Sequence, residues 1–192
     1  MSQCKVLAFS GSLRRDSYNK RLVAAAANGA RAAGAEVTIL DLASLPMPIF
    51  DEDLEARDGV HPNAMKLKEL MKSHDGFLIA SPEYNSSVSA ALKNAIDWAS
   101  RPVPGELPLG AFAGKVAGIM AASPGMLGGL RGLVHLRAIL GNIQVLVVPD
   151  QFALNQADQA FDDSGAIKDE KKRQIVEAIG RKVVQVAAKL KA

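Results

Sequence analysis

A polar loop near the N-terminus carries the residue types that bind an anion. It runs from Ser10 to Asn19, after the short apolar run Lys5–Phe9, and the chain becomes helical at Lys20. Its glycine lets the backbone approach a ligand, its serines and the start of the following helix supply hydrogen-bond donors, and its arginine adds a charge-assisted contact. A phosphate group uses all of these at once. An ordinary strand-to-helix turn capped by serines is the alternative interpretation.

Spacing excludes other kinds of phosphate site. The loop lacks the G-x-G-x-x-G fingerprint of dinucleotide-binding proteins, and it lacks the glycine followed by Lys and Ser or Thr that defines a P-loop. The sole cysteine, Cys4, precedes the apolar run instead of lying in the loop, so we expect no covalent thiol chemistry. Since it has no partner in the chain for a disulfide, we interpret Cys4 as a small, partly buried residue.

Two further loops place polar residues and glycines directly after apolar runs. Ser81–Ser87 follows the run Gly76–Ala80, and Ser123–Gly129 follows Lys115–Ala122. Because parallel strands end at the same edge of a sheet, we expect all three loops to converge. A proline ends the strand before the first of these loops, and the loop then exposes an aromatic ring, an amide and hydroxyls. Glycines in the second loop let the backbone approach a flat ligand. The pattern predicts a planar heterocycle joined to a phosphate, with a capped turn as the alternative for Ser81–Ser87.

Hydrophobic periodicity alternates between buried strands and amphipathic helices. Short runs rich in Val, Ile, Leu and Ala have the composition of strands covered on both faces: Lys5–Phe9, Glu36–Leu40, Gly76–Ala80, Lys115–Ala122 and Ile143–Val148. Apolar residues at helical spacing mark the helices: Leu22, Val23, Ala26, Ala27 and Ala30; Ala64, Leu67, Leu70 and Met71; Val88, Ala91, Leu92, Ala95 and Ile96; Ile175, Ile179, Val183, Val186 and Leu190. Alternating βα units wind right-handed, so we predict one α/β domain over residues 1–192, a three-layer sandwich with a parallel sheet.

Composition argues against several classes of partner. The net charge of +3 comes from 23 basic and 20 acidic residues that are scattered along the chain, which implies neither nucleic acid nor a membrane surface as a partner. No apolar stretch approaches the roughly 20 residues that span a bilayer, and no signal-peptide pattern precedes the first strand, so we expect a cytoplasmic protein. The histidines His61, His74 and His135 follow no metal-ligand spacing, and no metal site is expected.

These motifs resemble the flavodoxin-like NAD(P)H-dependent FMN reductases, a family that includes bacterial chromate, quinone and azo-dye reductases. The resemblance lies in these segments: Gly11-Ser12-Leu13-Arg14 with Ser17 and Asn19, Pro82-Glu83-Tyr84-Asn85 followed by Leu92–Trp98, Ala113-Gly114-Lys115, and Ser123-Pro124-Gly125 with Gly128-Gly129. It implies a flavodoxin-like fold with a five-stranded parallel sheet ordered 2-1-3-4-5. It also implies that FMN binds non-covalently at the switch point between strands one and three, where flavodoxin itself binds FMN.

The same resemblance assigns residues to the cofactor. The FMN phosphate would be held by Ser10, Ser12, Arg14, Ser17 and Asn19. The isoalloxazine would be bordered by Pro82, Glu83, Tyr84, Asn85 and Ser86, with Ser123 and Gly125 on its other side. In this family the contacts to the ring come largely from backbone groups, so these residues bind the flavin and none is catalytic, because the flavin carries the chemistry. We expect the Glu83 carboxylate to be a helix N-terminal charge or a subunit contact instead of a general acid.

The activity implied by the resemblance is a ping-pong hydride transfer. NADPH or NADH reduces FMN, the oxidised nucleotide leaves, and a small-molecule acceptor takes the same place: a quinone, an azo compound, chromate or a free flavin. The resemblance also implies a homodimer or homotetramer in which the neighbouring subunit walls the flavin. The apolar segment Leu45–Phe50 is a candidate contact, with burial under the chain's own helices as the alternative. The physiological acceptor, the nucleotide preference and the roles of Arg15, Arg101 and Arg131 stay open.

Two other functions fit an FMN-binding domain. A flavodoxin-like electron carrier binds FMN without nucleotide reductase activity, but such carriers tend to be acidic and have a Thr-rich phosphate loop, whereas this chain is basic and its loop is rich in serine. A non-catalytic FMN-binding sensor is the second alternative. The sequence gives no feature that excludes the sensor.

Overall fold

The computed structural model, which describes residues 3–191, gathers the apolar runs into one parallel sheet. The strands of the chain are β1 (Lys5–Ser10), β2 (Glu36–Asp41), β3 (Gly76–Ala80), β4 (Glu83–Tyr84), β5 (Ser87–Val88), β6 (Val116–Ala122) and β7 (Leu146–Leu154). The sheet has the order β2-β1-β3-β6-β7, while β4 and β5 form a separate antiparallel hairpin. Counted within the sheet alone, this is the predicted order 2-1-3-4-5, so the flavodoxin-like fold is confirmed.

Helices cover both faces of the sheet. They are α1 (Tyr18–Ala32), α2 (Glu52–Asp58), α3 (Pro62–Lys72), α4 (Ala90–Ala99), α5 (Leu130–Asn142) and α6 (Glu170–Leu190), with a 3-10 turn at Leu42–Ser44. Alternate residues of the central strands enter opposite cores, as their period of two requires. In β1, Val6 and Ala8 pack with α1 and α6, whereas Leu7 and Phe9 pack with α3, α4 and α5. Within residues 3–191, no helix is long and apolar enough to cross a bilayer.

Three details of the predicted elements are wrong. The last strand begins at Leu146 instead of Ile143, because Ile143 caps α5 through a hydrogen bond from its N–H to the carbonyl of Ile139. Val88 lies in β5 and not in the third predicted helix. Ile175 and Leu190 are 48% and 58% exposed, since the buried stripe of α6 runs through neighbouring positions: Val176, Ile179, Gly180, Val183, Val184 and Ala187.

The position of α1 is set by a close crossing with α6. A Cβ atom on Gly29 would lie 2.0 Å from the carbonyl oxygen of Glu177, and one on Gly180 would lie 2.0 Å from that of Ala26. Real Cβ atoms do not approach backbone atoms this closely, so glycine is required on both helices. The crossing fixes α1 against the sheet, and the loop that precedes α1 is fixed with it.

Replacing a glycine of this helix crossing by alanine is expected to destabilise the fold. Gly29→Ala forces α1 and α6 apart and should lower the free energy of unfolding by about 1 to 3 kcal/mol or more, the usual range for overpacking. Gly141→Ala is the matched control, because Gly141 also lies in a helix but no atom lies within 4 Å of the place that a Cβ atom on it would take. It should be neutral or stabilising by up to about 1 kcal/mol. Urea denaturation of both variants checks this, and equal effects would contradict the account.

Candidate functional site

The loop between β1 and α1 is shaped by hydrogen bonds to its own serines. Ser10 Oγ accepts from the N–H of Ser12 at 3.1 Å, and Ser12 Oγ accepts from the N–H of Arg14 at 3.3 Å. Ser17 caps α1, where its Oγ accepts from the N–H of Asn19 at 3.2 Å. All three oxygens act as acceptors here, so each hydroxyl keeps its proton for donation. The loop is therefore held in shape while its hydroxyl donors remain available to an anion.

The side chain of Asn19 joins α1 to the end of β6. Its Nδ2 donates to the carbonyl of Ala122 at 2.9 Å, and its Oδ1 accepts from the N–H of the same residue at 2.9 Å. Asn19 is only 4% exposed. Because β3 separates β1 from β6 in the sheet, this pair of bonds brings together two loops that the sheet alone leaves apart. The amide retains one N–H, so the assignment of Asn19 to the phosphate stays a prediction.

Gly11 admits helix α4 to the edge of the sheet. Its N–H continues the ladder to the carbonyl of Ala80 at 2.9 Å, and its carbonyl accepts from Ser89 Oγ at 2.6 Å. The same Ser89 oxygen caps α4 by accepting from the N–H of Leu92. A Cβ atom on Gly11 would lie 2.8 Å from Leu92 Cβ, so its missing side chain makes room for α4. The sequence predicts a glycine that makes room for the ligand, whereas here the room is taken by the helix.

The segment after β3 forms a tight hairpin. Glu83 and Tyr84 pair with Val88 and Ser87, and the turn consists of Asn85 and Ser86. Both turn residues have positive φ, 50° and 67°, as a type I′ turn requires. Asparagine tolerates this conformation, whereas serine is strained there. The hairpin carries Tyr84, 53% exposed, to the edge of the sheet where the three loops meet.

Glu83 supplies the charge at the N-terminus of α5. Its Oε2 accepts from the N–H of Gly132 at 3.0 Å, and its Oε1 accepts from Arg131 Nε at 3.0 Å. The N-cap residue of α5 is Gly129, which has no side chain to perform this role. The Glu83 side chain is 9% exposed and is committed to these donors. It therefore acts as a helix N-terminal charge that ties the hairpin to α5.

Glycines let the loop after β6 lie close to the sheet. Ser123 Oγ accepts from the N–H of Gly125 at 3.2 Å, which turns the chain away from the strand. Gly129 has a φ of +93°, and a Cβ atom there would lie 2.6 Å from Ala121 Cβ. The close approach that the sequence predicted for this loop is thus made to the strand itself.

A cleft of about 100 Å³ lies where the three loops meet. The predicted site residues that line it are Ser12, Arg14, Ser17, Asn19, Pro82, Glu83, Tyr84 and Ser123. The remaining predicted residues, Ser10, Asn85, Ser86 and Gly125, are not among its lining residues. Residues that sequence reasoning missed are Tyr18, Ala122 and Pro124, which also line the cleft. Each is the immediate neighbour of a predicted residue, and that adjacency was the signal available.

Arg14 is the free cation of the cleft. Within residues 3–191, no carboxylate lies within 4.0 Å of its guanidinium nitrogens. Other basic residues that the sequence left open are engaged: Arg101 with Glu55 at 2.8 Å, Arg131 with Glu83 at 2.9 Å and Lys20 with Asp41 at 2.7 Å. Burial alone would raise the pKa of Asp41, but hydrogen bonds from Lys20 and from the N–H of Ala43 outweigh it and hold the pKa below its ordinary value. Lys20 is therefore fixed to the end of β2.

The cysteine is protonated, and the histidines hydrogen-bond to other residues of the chain. Burial, together with the nearby charge of Asp75, raises the pKa of the Cys4 thiol, which keeps it protonated. His61 caps α3 through the N–H of Asn63, His74 is buried against Thr38 and Leu70, and His135 contacts Ser87. Throughout residues 3–191, no group of three or more His, Cys, Asp or Glu side chains is arranged to hold a metal ion.

Comparison with known proteins identifies the family. The family model described as NADPH-dependent FMN reductase matches residues 4–159. The chain belongs to this family. An NAD(P)H-dependent FMN reductase of Pseudomonas aeruginosa is 38% identical over 180 residues, which cover 90% of this chain and 89% of the relative. A quinone reductase of Escherichia coli is 38% identical over 144 residues, covering 75% of this chain and 73% of the relative.

A solved structure agrees with this assignment over nearly the whole chain. The flavoenzyme NAD(P)H:(acceptor) oxidoreductase FerB from Paracoccus denitrificans superposes with a TM-score of 0.81 at 26% identity, covering 97% of this chain and 98% of that one. As a member of the NADPH-dependent FMN reductase family, the chain is an NAD(P)H-dependent oxidoreductase whose flavin is FMN.

The Asn19 bridge gives a testable consequence. Asn19→Ala leaves the N–H and the carbonyl of Ala122 unsatisfied, at about 1 to 3 kcal/mol for each buried group. We expect a loss of unfolding free energy in urea together with weaker FMN binding, because the loop is released from β6. Asn28→Ala is the matched control on the same helix, since Asn28 is exposed and, within residues 3–191, its side chain hydrogen-bonds only to Arg31. If Asn19→Ala weakened FMN binding but left stability unchanged, Asn19 would be a ligand and not a bridge.

Proposed function

We propose that the chain is a quinone reductase in which the nucleotide donor and the acceptor occupy, in turn, one open surface over FMN. Bound in the cleft, FMN would supply the redox chemistry, which is acceptance of hydride from NADPH or NADH and transfer of reducing equivalents to the acceptor. The observation that carries the proposal is the cleft itself. The loop before α1 lines it with Arg14 and Ser17, its phosphate end, and the hairpin lines it with the exposed Tyr84, its ring end. Its residues bind and orient the partners of the reaction.

The phosphate end of the cleft suits a phosphate monoester. Ser12 and Ser17 keep hydroxyl protons to donate, and Arg14 offers a guanidinium with no other partner in the described chain. The first turn of α1 carries no acidic residue, so the positive end of the helix dipole is not neutralised. Backbone donors, hydroxyls and an arginine together form the set that binds phosphate at a helix N-terminus. The residues present therefore fit the phosphate of FMN.

The ring end of the cleft is shallow. At about 100 Å³ the cleft is smaller than the roughly 300 to 1,000 Å³ of pockets that enclose drug-sized ligands. An isoalloxazine held at this edge would lie across the mouth, with Pro82 and Tyr84 on one side and Ser123 on the other. One face would then stay open. A single open face favours successive binding of donor and acceptor, which is the physical basis for a ping-pong reaction.

An open face over the flavin would admit a broad choice of acceptors. Relatives of this chain are named quinone reductases, including the Escherichia coli protein and an NAD(P)H:quinone oxidoreductase of potato that is 36% identical over 192 residues, covering 97% of this chain and 94% of that relative. We extend the proposal to azo compounds, chromate and free flavins, because a site with few specific contacts discriminates weakly between planar or small oxidants.

We propose in addition that the protein acts as a homodimer or homotetramer. Apolar side chains on the loop after β6 and on α5 are exposed, with Met126 at 74%, Leu127 at 51% and Val134 at 61%, and a second copy would bury them. The residues of the segment Leu45–Phe50 differ in burial. Phe50 packs edge-on against Trp98 of its own chain, at 5.1 Å between ring centres, whereas Ile49 is 85% exposed. Ile49 is thus a second candidate contact.

Arg14 tests the phosphate assignment. Arg14→Ala removes charge-assisted hydrogen bonds worth about 1.5 to 3 kcal/mol, so the Kd for FMN should rise about ten- to a hundredfold. Fluorescence titration of the apoprotein measures it. Arg15→Ala is the matched control, because Arg15 is 93% exposed and does not line the cleft. An unchanged Kd for FMN in Arg14→Ala would show that this loop does not bind the FMN phosphate.

Steady-state kinetics test the shared surface. With NADPH and a quinone varied together, double-reciprocal plots should give parallel lines, as two substrates using one site in turn require. Tyr84→Ala should lower kcat/KM for the quinone by about three- to tenfold, the worth of an aromatic contact. Leu107→Ala serves as control, since Leu107 is 83% exposed in the loop before β6, at the opposite edge of the sheet. Intersecting lines would show that donor and acceptor bind together. If the protein bound FMN but did not oxidise NADPH or NADH, an electron carrier or a sensor would be the better assignment.

A further inference from the structure

A second polar pocket lies one strand beyond the flavin cleft. It has a volume of about 150 Å³ and is lined chiefly by Asn155, Gln156, Gln159, Lys168, Asp169 and Lys172. These residues come from the segment after β7 and from the start of α6. None of them belongs to the cleft described above. A pocket of this size accommodates a phosphate group or part of a sugar.

The pocket shares an edge of the sheet with the flavin cleft. The N–H of Ser123, which lines the cleft, donates to the carbonyl of Leu154 at 3.0 Å. The carbonyl of Ser123 in turn accepts from the N–H of Ala157 at 3.2 Å. Asn155 and Gln156, which line the pocket, therefore lie in the chain between two residues that hydrogen-bond to a residue of the cleft. Since neighbouring strands lie about 4.8 Å apart, a ligand the length of a dinucleotide reaches from one site to the other.

The lysines of the pocket have no carboxylate partner. In residues 3–191, neither Lys168 nor Lys172 has a carboxylate oxygen within 4.0 Å of its ammonium nitrogen. Asp169 also lines the pocket, where it is the N-cap of α6 and its Oδ1 accepts from the N–H of Lys172 at 3.0 Å, and Glu170 pairs with Arg173. The pocket therefore presents two available ammonium groups beside one carboxylate that is hydrogen-bonded to the backbone.

Carboxamides complete the pocket. The side chains of Asn155 and Gln156 make no hydrogen bond within the described chain, and each offers both donors and an acceptor. Gln156 has a φ of 48°, in the left-handed region that side chains other than glycine and asparagine rarely adopt. Groups of this kind recognise the hydroxyls of a ribose or the edge of a base. Ammonium groups beside them suit a phosphate dianion on that sugar.

We propose that this pocket binds the 2′-phosphate and part of the adjoining ribose of NADPH, with the adenine outside it, and gives the enzyme a preference for NADPH over NADH. Lys168 and Lys172 contact the 2′-phosphate, and Asn155 and Gln156 contact the ribose. The nicotinamide then extends over Ser123 towards the cleft. This inference rests on the proposed oxidoreductase function of the cleft and deepens it.

Nucleotide preference provides the kinetic test. In the FMN-loaded enzyme, the double variant Lys168→Gln with Lys172→Gln should raise KM for NADPH about tenfold or more and leave KM for NADH unchanged, because NADH has no 2′-phosphate. Wild-type KM for NADPH should also rise more steeply with salt than that for NADH. Lys182→Gln is the matched control, an exposed lysine of α6 outside the pocket. Equal changes for both nucleotides, or a wild-type preference for NADH, would overturn the proposal.

Direct binding gives a readout that does not depend on turnover. Isothermal titration of the FMN-loaded protein should detect adenosine 2′,5′-bisphosphate more strongly than 5′-AMP, and the double lysine variant should lose that difference. Equal affinities in wild type would refute the pocket as a 2′-phosphate site. Wild-type quinone turnover with either nucleotide would then still support the function of the cleft, whereas absence of turnover with both would refute that function independently.

Discussion

The hydrogen-bonded pair between Asn19 and Ala122 is the interaction on which the site depends. Strands β1 and β6 are not neighbours, yet the loops that follow them must meet if one ligand is to touch both. The amide of Asn19 satisfies the N–H and the carbonyl of Ala122, and both residues are only 4% exposed. Because an unpaired buried backbone group is costly, the first turn of α1 has little freedom to leave the end of β6.

Packing below the site supports this arrangement. Gly29 and Gly180 let α1 and α6 cross at backbone contact, so α1 cannot slide along the sheet. On the other face, Gly11 admits α4, whose N-cap Ser89 bonds the carbonyl of Gly11. The loop from Ser10 to Asn19 is therefore packed against helices of both layers. The hairpin is fixed separately, because Glu83 caps α5 and carries Tyr84 with it.

Much of this arrangement could be predicted from the sequence, because buried parallel strands and amphipathic helices have distinct periods. The parallel strands, the helices and the converging loops follow from such patterns, whereas the sheet order was implied by the family resemblance that the motifs carry. The partners of individual polar side chains could not be predicted, since they are distant in sequence: Asn19 reaches Ala122, and Glu83, which was expected to be a helix N-terminal charge or a subunit contact, reaches Gly132 at the start of α5. The first residue of β7 could not be predicted either, because Ile143 has a β-branched side chain that is typical of strands but lies at the C-cap of α5.

The central claim is that the loop from Ser10 to Asn19 is built for a terminal phosphate monoester. The most direct measurement compares the binding of FMN, riboflavin and FAD to the apoprotein by fluorescence titration. Riboflavin shares the ring but lacks the phosphate, and FAD replaces the monoester with a pyrophosphate. The account predicts that FMN binds at least about tenfold more tightly than either, from charge-assisted hydrogen bonds to the phosphate. Riboflavin binding as tightly as FMN would contradict it.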